Sequence, residues 1–594
     1  MSRQVHSNCL VSILKKCKQS SKEAVDNLES FDSFKQYMHI PRPVESELEK
    51  IILKSRQSER SQLILVCGGV GDGKSHTLSF LKNKYTFLSS EFYLHNDATE
   101  SFDPQKTSIE TLAECFDHFS DEGLESNNEV KKAILAINLG ALNNFIDSEQ
   151  GKRFSRLNKY VESKKILESS NVSSEYDPNS NFQFVNFSDY HMFELTENGT
   201  KSDYLSGLIN KLTSPEVDNP FFKSYEENCL KNCPVSRQCP IKQNYELLSR
   251  TDIKKKIVDL IIKAIVREKI IVSTRAFLDF LYGIIVSPTY ETLSDESIKA
   301  KIEQIHFDEY TENLLPYLVF SQPDSSYIQN TLVKLSPSLL RSELIDQVLI
   351  DFKTVQSKME VFSRYINIDA LPYFQEKIDE LQKIEQSKPE LNVHLGKIFI
   401  LLSYFMSKNE WDFYEDPIFD DFIQYLYWSN QGNISQLAKL YNTEMREAIY
   451  KWDGGGYGNL ISINIGQPQN HFKTLQKLEI EPYLIKSVTE QHKKELSKFL
   501  LNISISFKVK NSDNYAQVDL DYALYDLISR IRQGYRPNKN DKLQFIKFVD
   551  FINKLGCLGN QLEEIFVEEI HSLNREKYVL NYDKFFEKYK FTVV

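Results

Sequence analysis

Residues 67–75 read Cys-Gly-Gly-Val-Gly-Asp-Gly-Lys-Ser, between a short apolar run at 63–66 and a helix-forming pattern at 75–84. No other segment restricts the fold so strongly. A run this rich in glycine, entered from a strand and left into a helix, is a tight turn whose amides point inward. It fits G-x-x-x-x-G-K-[ST], the phosphate-binding loop. Gly68, Gly69, Gly71, Asp72 and Gly73 supply the cradle, and the following helix offers its positive end to the same anion. Lys74 is expected to reach the β- and γ-phosphates, and the Ser75 hydroxyl to hold Mg²⁺, with His76 directly behind. The expected ligand is ATP with Mg²⁺.

Around this loop the pattern alternates. Residues 92–95, 133–139 and 182–187 read as strands, and 108–119 and 152–168 as helices. The run AILAINL at 133–139 is apolar throughout, as in a strand covered on both faces. Strands alternating with helices predict a parallel, helix-flanked sheet, an α/β P-loop NTPase core. A largely helical lid and middle region follows, then a mixed α+β C-terminal region. The expected divisions are a helical segment over 1–45, the core over 46–225, a cysteine-rich insert over 226–250, the helical lid and middle region over 251–400, a further helical region over 401–485, and the α+β region over 486–594.

Hydrolysis needs a carboxylate for the metal and a group that orients water. The strand expected to carry them, 133–139, holds Asn138 and is followed by Gly140, with no acid. Asp97 and Glu100, just after the strand at 92–95, are the alternative pair, and Asp189 is a third candidate. Asp97 reads equally well as a cap or turn residue. Arg275, at the start of a helix, stands where a lid arginine would meet the γ-phosphate, although a surface ion pair is the commoner use of such a residue. Arg341 suits the same role toward a neighbouring subunit.

The chain of 594 residues carries 72 basic and 83 acidic side chains, a net charge of -11. Nucleic acid is therefore expected at a local patch or through a partner. Arg530, Arg532, Arg536, Lys539, Lys542 and Lys547, with Tyr535 among them, form the one basic cluster of note; a solvated face or a protein contact is the commoner use of such a run. The first nineteen residues lack the pattern of a signal peptide, and no apolar run approaches the roughly 18 residues of a membrane span. Eight dispersed cysteines suit a reduced cytoplasm rather than a disulfide framework. Cys229, Cys233 and Cys239 stand apart, three thiols within eleven residues, stiffened by Pro234 and Pro240. They read as a metal knuckle, for Zn²⁺ first and an iron–sulfur cluster second, whose fourth ligand (His191 or His306) the spacing does not select. No nuclease constellation stands out.

Longer segments carry a specific resemblance. GGVGDGKSH, LHNDATESFDP and AILAINLGALNNF, then SDYHMFELTENGTKSDYLSGLINKL, NPFFKSY, CPVSRQCPIKQNYELL and STRAFLDFLYGIIV, resemble the DNA phosphorothioation-dependent restriction protein family DptF. The likeness resumes in LLPYLVF, in AIYKWDGGG around Trp452, and in DYALYDLISRIRQGYRPNKNDKLQFIKFVDFI, and so runs from about residue 45 to the end. Ser336-Pro337, ahead of Arg341, departs from the Asp-Pro expected in the family. The resemblance implies the ATP-binding component of a bacterial restriction assembly, acting with DptG and DptH on DNA that lacks phosphorothioate linkages. It leaves open whether DNA is touched directly or through those partners, and whether the chain forms a homo-oligomer. A nucleotide-held scaffold with little hydrolysis is the other reading, kept by the missing acid at Asn138.

Overall fold

The computed structural model describes residues 9–23, 33–69, 71–95, 107–126, 129–167, 174–384, 389–408, 411, 413–453, 456, 458–462, 471–483, 495–510, 513–558, 564–570 and 577–593. Asp97 and Glu100 lie outside the described residues. The chain divides into two compact units, residues 1–194 with 201–415, and residues 195–200 with 416–594.

The first unit is built on four parallel strands, β1 (Gln62–Cys67), β2 (Tyr93–His95), β3 (Lys132–Ile137) and β4 (Phe182–Asn186), in the spatial order β2-β3-β1-β4. β1 lies between β3 and β4, with Leu65 opposite Leu135 on one side and Phe184 on the other. Its six residues are all buried. Successive side chains on a strand face opposite ways, so the sheet feeds two cores. Leu63, Leu65, Cys67, Leu135 and Phe184 pack with Leu112, Leu142, Phe145 and Leu157 from helices on one face. Ile64, Val66, Ile134, Ala136 and Val185 pack with Val44, Leu48, Ile51, Leu78 and Leu81 on the other. The latter group comes from α1 (Pro43–Gln57) and α2 (Lys74–Lys84). Burial on both faces is why AILAINL shows no alternation.

β3 ends sooner than its apolar run suggests. Asn138 leaves the strand and its side-chain oxygen accepts the Ala141 amide at 2.7 Å, capping α3 (Leu139–Asp147). That local bond, not hydropathy, sets the boundary. The helix expected over 152–168 is likewise shorter: a 3₁₀ turn at Gln150–Phe154, then a helix at Ser155–Ser163.

Beyond the sheet this unit is helical. Helices at Thr251–Glu268, α4 (Thr274–Ile285) and Pro389–Met406 supply much of its apolar interior. Among the described residues no helix is long and apolar enough to cross a membrane.

The second unit combines helices with antiparallel sheets. Ile503–Val509 pairs with Tyr515–Leu520 and with Ile480–Pro482. A five-stranded sheet runs in the order Lys588–Val593, Lys577–Asp583, Glu564–Glu569, Phe472–Lys477, Leu460–Ser462. Two helices, Lys539–Gln544 and Ile546–Leu558, follow one another with Phe545 between them.

Candidate nucleotide site

The glycine loop leaves the carboxyl end of β1 and enters α2, as ligand sites in parallel α/β sheets do. Its path depends on glycine at two points in particular. Gly71 has φ +85° and Gly73 φ +91°, the left-handed region that other residues avoid. A Cβ on Gly71 would also stand 2.9 Å from the Ser273 hydroxyl. Gly73 is the N-cap of α2 and contributes no side chain there, so the first amides of that helix have no intrahelical acceptor.

Two charged side chains hold the loop from within. Asp72 is buried; its carboxylate accepts the Gly69 amide at 2.6 Å and the Ser188 hydroxyl at 2.9 Å. Lys74 turns back, and its Nζ donates to the Gly68 and Gly69 carbonyls at 2.8 and 2.7 Å. Ser75 follows on the first turn of α2, half-buried.

A third charge was not singled out in the sequence. Arg42 is buried beneath the loop; its Nη1 donates to the Asp72 carbonyl at 2.8 Å and its Nη2 to the Tyr190 carbonyl at 3.4 Å. Its guanidinium also lies over the Tyr204 ring, 5.2 Å from the centroid. The only signal in the sequence is its position between Pro41 and Pro43. Pro43 opens α1, and the residue before a proline is held extended. Arg42 is accordingly extended, φ -117° and ψ 154°, at the N-cap of α1.

Arg275 does come to the site. Its Cβ would lie 3.6 Å from a Cβ on Gly71, and Ser273 caps α4 by accepting the Ala276 amide. Thr274 shares a hydrogen bond with Tyr204 at 2.8 Å, so the start of α4 is joined to the ring on which Arg42 rests. Among the described residues no hydrogen bond or ion pair holds the Arg275 guanidinium.

At the neighbouring strand ends, Asn138 caps α3, while Asp189 follows β4 and accepts the Asn186 side-chain amide at 2.6 Å. Asp189 is buried one residue from Ser188, which binds Asp72, so β4 brings a carboxylate toward the loop from the side opposite β3. Arg341 is exposed, ahead of the helix Glu343–Thr354.

His76 points away from the cradle. Its Nε2 shares a hydrogen bond with His39 Nδ1 at 3.1 Å, and the His39 ring stacks on Phe80. Burial, with His39 and Lys35 nearby, pulls the His76 pKa down from 6.5 to about 4. The folded chain therefore keeps this imidazole neutral where the unfolded chain would protonate it. Its contribution is whole above about pH 6.5 and is lost as pH falls through about 4. The span corresponds to at most about 3 kcal/mol. Thermal melts between pH 7 and pH 4 should show the wild type losing stability more steeply than His76→Gln; parallel slopes would remove the coupling.

The cysteine segment forms a π-helical turn (Tyr225–Leu230), a 3₁₀ turn (Ser236–Gln238) and the helix Pro240–Ser249. Cys229 and Cys239 are buried and Cys233 is half-buried. Burial pushes the Cys239 thiol up to about 12, which rules against a nucleophilic role. The helix Leu10–Glu23, from the far end of the sequence, packs against the turn Tyr225–Leu230. His191 lies instead on the strand Tyr190–Thr196, its ring 5.8 Å from Phe193, and His306 precedes the helix Phe307–Glu312. Among the described residues no group of three or more His, Cys, Asp or Glu side chains is placed to hold a metal ion.

The basic cluster of the second unit is largely neutralised. Arg532 pairs with Glu444 and Glu447, Lys542 with Asp453, and Arg530 with Asp526. Arg536, Lys539 and Lys547 remain exposed. A continuous basic stripe is therefore absent among the described residues.

Comparison of the sequence with protein-family models and with curated proteins gives no match.

Proposed function

We propose that the chain is a P-loop ATPase that binds ATP with Mg²⁺ in the loop between β1 and α2. The observation that carries the reading is the conjunction of a glycine loop at a parallel strand's end, Lys74 inside it and Arg275 beside it. Lys74 exchanges two carbonyl partners for phosphate oxygens, and its charge then meets a charge. The amides at the start of α2 bind the β-phosphate, and the Ser75 hydroxyl holds Mg²⁺. Asp189 reaches the metal site through water, Asp97 and Glu100 being the sequence's other candidates, and Arg275 steadies charge on the transferred phosphoryl group.

On the sequence resemblance, we place this ATPase in a DptF-type restriction assembly with DptG and DptH, directed at DNA without phosphorothioate linkages, in the cytoplasm. The test is ATP turnover by the purified chain, alone and with those partners and modified or unmodified DNA. Turnover should require partners or unmodified DNA, and Arg275→Ala should lower it at least about tenfold while ATP affinity changes little. Tight ATP binding without turnover in any mixture would favour the nucleotide-held scaffold. That second reading has its own observation: Asn138, at the strand end beside the loop, is committed to capping α3 and offers no carboxylate.

A further inference from the structure

The hairpin of Lys577–Asp583 and Lys588–Val593 has two unlike faces. Successive strand residues point opposite ways, and residues directly across a ladder share a face. Tyr582 stands across from Tyr589, Leu580 from Phe591 and Tyr578 from Val593, so these six lie on one face. Ile565 and Val567 of the next strand, across from Leu580 and Tyr578, continue it. Lys588 and Lys590 lie on the other face, across from Asp583 and Asn581. A strand alternating in this way ordinarily buries its apolar side. Here that side is open: Tyr589 is 60%, Phe591 58% and Val593 69% exposed, and at the turn Phe585 and Phe586 are 87% and 66% exposed.

The open rings are ordered against one another. Phe591 stacks on Tyr578 with 5.1 Å between centroids, Tyr582 meets Tyr589 at 5.0 Å, and Phe585 meets Phe586 at 5.0 Å. A surface arranged in advance loses little entropy when it is covered. Charge and area indicate what covers it. The strands place no charged residue on this face, and their lysines at 588 and 590 stand on the opposite one. A nucleic-acid strand stacked on the rings would therefore lack the cations that such binding uses. A face without charge is complementary to itself, because joining two copies buries no ion. At about 150–250 Å² for a whole aromatic side chain, the exposed rings offer roughly 500–700 Å² per chain. That approaches the ~800 Å² per partner of a standard interface.

We infer that this face is a dimer interface, on which a second copy of the chain packs sheet against sheet. The rings around Tyr589 and Phe591 interdigitate with those of the other copy, as inner faces of stacked sheets do. Lys588 and Lys590 stay in water on the outer sides. The interface lies wholly within the second unit, and the inference stands independently of nucleotide binding.

The test is sedimentation equilibrium of the full chain over a range of concentrations, with cysteine labelling to locate the contact. The wild type should reach twice the chain mass and stop there. Phe591→Lys should raise the dissociation constant at least about a hundredfold, since two rings leave the interface and two ammonium groups enter it. Val217→Lys, at an exposed position of the first unit, should leave it unchanged. Maleimide labelling of Val593→Cys, read at its own peptide, should slow as the chain is concentrated, whereas that of Lys590→Cys on the outer side should not. A wild type that stays monomeric, even one whose hairpin captures single-stranded DNA or a different protein, would overturn the inference. So would growth beyond the dimer, Phe591→Lys as dimeric as the wild type, or equal slowing at both cysteines.

Discussion

Lys74→Ala is expected to weaken ATP binding by roughly a hundredfold to a thousandfold while leaving the fold standing. In the structure Lys74 Nζ donates to the Gly68 and Gly69 carbonyls. Under the proposed function those bonds go to phosphate oxygens when nucleotide binds, and hydrogen bonds to charged groups contribute about 1.5–3 kcal/mol each. Losing two removes roughly 3–6 kcal/mol, offset in part because Lys74 gives up its two carbonyl bonds on binding, which leaves about two to three orders of magnitude in affinity. The cost to stability is small, because water at the exposed Gly69 contact replaces the lysine. Calorimetric titration of ATP into both proteins, beside their melting curves, measures the two effects separately. Equal affinity in a folded Lys74→Ala protein would refute the assignment of this loop to nucleotide.

Arg42→Ala is expected to act the other way round, on the fold first and on nucleotide in consequence. The guanidinium is buried and satisfies the Asp72 and Tyr190 carbonyls while resting on Tyr204. Removing it leaves two carbonyls inside the protein without that donor, at roughly 1–3 kcal/mol each, partly relieved by entering water. A loss of about 2–4 kcal/mol follows. Arg42→Lys should recover only part of it, because an ammonium lacks the planar fork that reaches two carbonyls at once. Denaturant unfolding of the first unit reads the stability. ATP affinity should fall as well, since Arg42 holds the Asp72 carbonyl and thereby the turn between Gly71 and Gly73. An unchanged unfolding midpoint in Arg42→Ala would show that the guanidinium supports neither.

The two variants separate chemistry from architecture. Lys74 is half-buried with one exposed contact, and its replacement is expected to cost little stability. Arg42 shapes the same loop through its two backbone carbonyl partners.

What the sequence determined by itself is local. The glycines, Lys74 and Ser75 lie within eight consecutive residues, so their mutual placement follows from the turn they force. The parallel sheet was legible because burial on both faces leaves an apolar run, and helices because one face stays polar. The end of β3 was not legible, since the Asn138 side chain decides it through one hydrogen bond that hydropathy does not register. What only the tertiary structure decided is every pairing across long separations. Arg42 meets Asp72 and Tyr190, Ser188 meets Asp72, and Ser273 and Arg275 close on Gly71. The same is true of the helix Leu10–Glu23, which packs against the distant turn Tyr225–Leu230. Spacing along a chain carries information about geometry only while the backbone between two residues is short and its conformation known. Across hundreds of residues the meeting is set by how sheets and helices bury their apolar faces, and polar partners are brought together as a result of that packing.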